Sequence, residues 1–180
     1  MHLGAELRAL GLTAIPVVRP SDSAATRRDL LESTLFESTA RCVRIGVDDL
    51  DQGAPIAQVL QDLVNDTGAE VRESHLVIDL GEVPSETVFG VYRQFGGMML
   101  SGLGNAEEWA TVTVAAGAFP ASLTTVSPDE VGRIPRLDWL LWQAIVERAP
   151  GRRPGFGDYG IAHPAVPQGA AFAPDRKSVV

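Results

Sequence analysis

The chain has 180 residues, 45% hydrophobic and 21% charged, with a mean hydropathy of +0.07, the balance of a soluble globular chain able to bury a core; disordered and collagen-like classes are excluded. A formal net charge of -8 and an isoelectric point near 4.8 argue against a nucleic-acid backbone as main partner, since phosphate binding needs clustered Lys and Arg. No apolar run reaches about 18 residues, residues 1–6 lack a basic region before an apolar stretch, and the single cysteine, Cys42, offers neither an internal disulfide nor a thiolate cluster; the expectation is a cytoplasmic protein with no membrane span, metal or cofactor.

In chain order, residues 13–18 are short, apolar and bounded by Gly11 and Pro20, which predicts a buried strand. Ser21 and Asp22 can cap a helix over about 24–38, with Leu30, Leu31 and Leu35 on one face. Residues 42–47 form the second strand. Behind Pro55, Ile56, Val59, Leu60, Leu63 and Val64 fall at helical spacing as one apolar stripe, and Gly68 ends the helix. A third strand is predicted over 75–80. Pro84 then opens a helix as a first-turn proline, with Ser85 and Glu86 at its positive end and Val88, Val91, Tyr92 and Phe95 as its stripe.

A fourth strand is expected over about 110–115, followed by irregular chain over 120–135. Leu137, Leu140, Leu141, Ala144 and Ile145 carry the last helical stripe, and a short strand is expected over 155–159. Strand starts recurring every roughly 30 to 45 residues match the βαβ period, so a single α/β domain with a largely parallel sheet is predicted, either doubly wound or a (β/α) barrel. Lys177 is the only lysine beside fourteen arginines, and residues 175–180 resemble a translated sequencing adapter; they are expected to be read-through, with the domain ending near Pro174.

The block 133–142, with Arg136, Trp139 and Trp142, followed by 156–164, with Asp158, Tyr159, Gly160 and His163, resembles the C-terminal part of the phage-type beta family proteins. Residues 14–19 resemble that family's central strand, and 116–120 its small-residue turn. The resemblance spans residues 1–174. It implies an incomplete TIM-barrel-like (β/α) fold and carries little chemistry, because the family's biochemical role is mostly unknown. A partial barrel would leave open strand edges, so self-association is expected.

Gly155, Gly157 and Gly160 match G-x-G-x-x-G by letter, yet Pro154 precedes them and Pro164 and Pro167 follow, so the helix that a dinucleotide site needs is forbidden. The candidate ligand-binding residues are Arg19, Arg44, Asp79, Asp158, Tyr159 and His163, all near predicted strand ends where barrels place working groups. Glu82 joins Asp79 at the end of an apolar strand, where an acid can bind a cation, act as general base or simply cap a helix. Arg44 can meet an anionic ligand or pair with Asp48 or Asp79. His2, His75 and His163 lack metal-site spacing, and 48–51 reads as a solvated acidic loop. Trp139 and Trp142 read as core or interface, and 96–100 as a soft apolar patch. Two functions follow: a binding or interaction module in phage or mobile-element biology, or a barrel enzyme acting on a small anionic or nucleotide-like ligand. The partner is accordingly an unknown small anionic ligand or a protein.

Overall fold

A computed structural model describes residues 6–7, 9–12, 14–32, 40–50, 55–103, 106–122, 131–149 and 151–160. Its elements are β1 (Val17–Val18), α1 (Ala24–Glu32), β2 (Cys42–Gly46), α2 (Ile56–Thr67), β3 (His75–Glu82), α3 (Glu86–Gly102), β4 (Thr111–Gly117), α4 (Leu137–Val146) and β5 (Gly155–Gly157). All five strands form one parallel sheet in the order β1-β2-β3-β4-β5. Each strand pairs with the next in sequence, as in singly wound barrel walls; a doubly wound sheet would reverse its order at a switch point. Among the described residues the sheet is open between β1 and β5, so the α/β alternation and parallel pairing stand without a closed barrel.

Strand residues alternate between two faces. Val43, Ile45, Leu76, Ile78, Leu80, Val112, Val114 and Ala116 are buried on one face and share a single core with Leu60, Leu63, Met99, Leu100, Leu141 and Ile145 from the helices. Each fully buried Ile or Leu contributes roughly 1.5–3 kcal/mol of hydrophobic stabilisation. The opposite face carries Arg44, Val77, Asp79, Thr113 and Ala115, half-buried apart from Asp79. At its other end His75 Nδ1 lies 2.8 Å from Thr111 Oγ1.

The α2 stripe falls as predicted. Gly68 closes the helix at φ 59°, where a side chain would be strained, and Ala69 N–H reaches back to Val64 O. Elsewhere local competition shifts the expected boundaries. Ser85, rather than Pro84, starts α3: its hydroxyl accepts from Val88 N–H, so the helix begins at Glu86 and the proline stands outside it. Val91, expected on the buried stripe, is 59% exposed, because the buried face instead runs through Gly96, Met99 and Leu100. At the sheet edge β1 is only two residues long, and Val18 is buried while Ile15 and Val17 are exposed. The end of the first predicted helix (33–38), His163 and the 175–180 tail lie outside the described residues.

Of the two α4 tryptophans expected in the core or an interface, Trp142 is buried and Trp139 is 40% exposed. Trp142 stacks on Trp139 at 4.8 Å, meets Phe156 of β5 edge-on at 5.8 Å, and donates Nε1–H to Pro154 O at 3.2 Å. These contacts seat β5 against α4 and fix the direction in which the chain leaves the strand toward Tyr159.

Candidate functional site

Cross-strand register brings Gly46, Asp79, Ala115 and Gly157 into one row across β2, β3, β4 and β5. Asp79 is the only residue of that row with a large polar side chain. Arg44 lies two residues before Gly46, hence on the same face. The C-terminal end of β3 is bulged between Asp79 and Glu82. Gly81 permits the turn at φ 68°, and its N–H donates to Asp79 Oδ1 at 3.0 Å. The carboxylate is thereby fixed by its own strand before any partner reaches it.

Two partners then arrive. Arg44 Nε donates to Asp79 Oδ2 at 2.7 Å, and Arg44 Nη2 binds the same oxygen. Tyr159, just beyond β5, places its hydroxyl 2.5 and 2.6 Å from the two Asp79 oxygens and accepts from Arg44 Nη2 at 2.9 Å. Two strand spacings of about 4.8 Å separate β5 from β3. The phenol must therefore reach across β4, whose position in this row is the small Ala115. Gly157 has the same logic, since a Cβ there would lie 3.1 Å from Ala115 Cβ and from Thr113 Cγ2.

The network sets its own electrostatics. Burial alone would lower the Arg44 guanidinium, but the hydrogen bond and charge of Asp79, with Tyr159, outweigh it and hold it above its usual value. Burial first, then the hydrogen bond and charge of Asp79, push the Tyr159 phenol up to about 12 against the opposing pull of Arg44. Tyr92, from α3, is also raised, by burial and by the nearby charges of Asp48 and Glu82.

Above the network is an open cavity of about 330 Å³, lined among others by Arg44, Asp48, Asp79, Glu82, Tyr92 and Tyr159. Beside it Asp158 points the other way from Tyr159. Asp158 Oδ2 accepts from Arg136 Nη2 at 2.9 Å, and the same guanidinium pairs with buried Asp138 at 2.9 Å. Residues 158–160 are thus held from both sides of the sheet.

Of the expected site residues, Arg44, Asp79 and Tyr159 meet directly, Glu82 lines the same cavity, and Asp158 is adjacent. Arg19 is exposed after β1, where its backbone N–H donates to Asp22 at 2.8 Å, and it does not line the cavity. The choice for Arg44 between Asp48 and Asp79 falls to Asp79. Tyr92 and Asp48 were not among the expected residues: the tyrosine reads as core on a helical stripe, and the aspartate as a solvated loop.

The chain contains only two tyrosines, and both phenols are raised. Ultraviolet titration of the Tyr92→Phe variant should therefore show a single tyrosinate transition near 12, well above the ordinary value of about 10. A full tyrosine equivalent titrating at 10 in that folded variant would contradict the network. Because the folded-state value of Tyr159 lies above the unfolded one, its contribution to stability is complete below about pH 10 and is lost as pH rises toward 12.

Among the described residues no group of three or more His, Cys, Asp or Glu is placed to hold a metal ion, and no helix is long and apolar enough to cross a membrane. No curated protein and no solved structure matches the chain. The family model described as Beta protein matches residues 2–177, a span that includes every residue of the network and of the cavity wall. On that match, the parallel α/β chain with its Arg44, Asp79 and Tyr159 cluster belongs to the Beta protein family.

Proposed function

We propose that this domain is a binding module, serving phage or mobile-element biology as the sequence resemblance implies, and that it holds a small polar ligand in the cavity at the C-terminal edge of β2 and β3. The observation that carries this reading is the convergence of Arg44 from β2, Asp79 from β3 and Tyr159 from the turn after β5 on one open cavity. These groups suit holding better than proton transfer. A phenol near 12 stays protonated at neutral pH, the guanidinium stays charged, and Asp79 already accepts from Gly81, Arg44 and Tyr159. An enzyme acting on an anionic substrate would need Arg44 to release Asp79.

The test is nuclear magnetic resonance of the full chain, titrated with small amines, carboxylates, phosphates and neutral polyols. Saturable shifts confined to the amides of Gly46, Gly81 and Tyr159, weakened about tenfold by Tyr159→Phe, are expected, equivalent to about 1.4 kcal/mol for one lost hydrogen bond to a charged network. Shifts scattered over other surfaces, or shifts at these amides that Tyr159→Phe leaves unchanged, would overturn the reading.

A further inference from the structure

We infer that a groove between α3 and the C-terminal end of α4 is a docking surface for an acidic peptide segment of a partner protein, one that carries carboxylates beside an apolar side chain. The groove is an open cavity of about 490 Å³, lined by Arg93, Gln94, Gly97, Met98 and Ser101 of α3 and by Arg148, just past the C-cap of α4. It shares no residue with the cavity at β2 and β3, so this surface stands apart from the ligand reading above. The charges set the partner. Acidic residues outnumber basic ones 23 to 15 over the chain, yet two guanidiniums and no carboxylate line this wall. Arg44 and Arg136 pair with aspartates and Arg152 donates to backbone carbonyls, whereas Arg93 and Arg148 make no ion pair or side-chain hydrogen bond among the described residues. Arg93 Nε is buried without an acceptor, a state that folded proteins rarely leave uncompensated. A carboxylate taken up by the Arg93 fork supplies that acceptor.

The rest of the wall favours a peptide over a free anion. Arg148 is exposed and follows the carbonyl end of α4, whose partial negative charge repels anions, so a single small oxyanion would be held only by weak, solvated contacts. Apolar surface adds what charge alone lacks. Met98 is 65% and Val91 59% exposed, and with Gln94 they fall at i, i+3 and i+7, one outward stripe of α3. Gly97 leaves the groove open, since nothing lies within 4 Å of a Cβ there. The 96–100 patch read from the sequence as soft and apolar is thus divided: Gly96, Met99 and Leu100 are buried, while Gly97 and Met98 line the groove. A segment that sets carboxylates on the arginines and an apolar side chain on Met98 links contacts that separate small molecules cannot make together.

The experiment titrates the full chain at neutral pH and matched ionic strength with a terminally blocked Glu-Asp-Leu-Leu-Asp-Glu peptide, its Gln and Asn counterpart, sodium propanoate and inorganic phosphate. The readout is the amide signals of Gly97 and Ser101. The acidic peptide should saturate both, leave Gly81 unmoved and bind more weakly as salt is added, while the other three probes leave Gly97 and Ser101 unmoved. Arg93→Gln and Arg148→Gln should each weaken peptide binding about fivefold, and Met98→Ser about threefold. Arg93→Lys should recover only part of the loss, because an ammonium lacks the planar fork. Arg148 is exposed, so its variant should keep the parent's melting temperature. Equal binding of the Gln and Asn peptide would overturn the charge assignment. Saturation by propanoate or phosphate would make the groove a small-anion site instead of a docking surface, and silence toward the acidic peptide would remove the proposal.

Discussion

Asp79→Ala should cost about 2–3 kcal/mol of stability and release Tyr159 from the sheet. Asp79 is 8% exposed and accepts from three residues, so its loss strands a guanidinium, a phenol and a bulge N–H together. The Arg44 side chain is 33% exposed and can recover part of its hydration, which keeps the loss below that of a fully buried pair. For a chain of this size the melting temperature should fall by roughly 4–12 °C. Arg44→Ala leaves the carboxylate with its Gly81 and Tyr159 donors and should cost less. The double variant should lose clearly less than the sum of the two, because the pair acts as one unit. Hydrogen exchange should show the second consequence: faster exchange across Gly155–Gly157 and the turn after it, whose link to β2 and β3 runs through the phenol. A variant within about 0.5 kcal/mol of the parent, with unchanged exchange there, would show that the network does not hold the strand end.

The elements were legible because their signal is local. Apolar residues at helical spacing in α2, and short apolar runs at β2, β3 and β4, require no knowledge of the rest of the chain. The family was legible too, since its blocks at 133–142 and 156–164 are contiguous. The site was legible only in part. Arg44, Asp79 and Tyr159 could be named from their places near strand ends, but the partner of Arg44 depends on register: pairing Gly46 with Asp79 puts the carboxylate on the arginine's face one step ahead. Asp48, close in sequence, offered the same charge without that constraint. Tyr92 was hidden for another reason. A helical stripe marks the face turned toward the sheet, and at the C-terminal edge that direction leads into the cavity as well as the core. Val91 shows the converse: its apolar character fits the stripe, while the turn of α3 that packs closest is set by the first of two adjacent glycines further on, Gly96 and Gly97.

The first of those glycines carries the other large effect. Gly96→Val should destabilise the protein by about 3 kcal/mol, whereas Gly97→Ala should stabilise it by about 1 kcal/mol. At Gly96 a Cβ would overlap Ile145 Cδ1 and lie 3.0 Å from Ile145 Cγ1, and Ile145 is fully buried in α4. At Gly97 nothing lies within 4 Å, so alanine would gain helix propensity without a clash. Adjacent glycines in one helix therefore carry opposite signs: one sets the approach of α3 to α4, and the other is a cost with no packing return. Gly96→Ala adds a second check. Combined with Ile145→Val, which removes the nearest carbon, it should be more stable than the two single changes predict, a coupling of about 1 kcal/mol read from chemical denaturation. The same contact bears on the cavity, since α4 anchors β5 through Trp142 and β5 delivers Tyr159. Forcing α3 and α4 apart should thus weaken ligand binding as well as the core, and Gly97→Ala should leave binding untouched. Equal losses from the two glycine substitutions would show that α3 and α4 do not meet through Gly96.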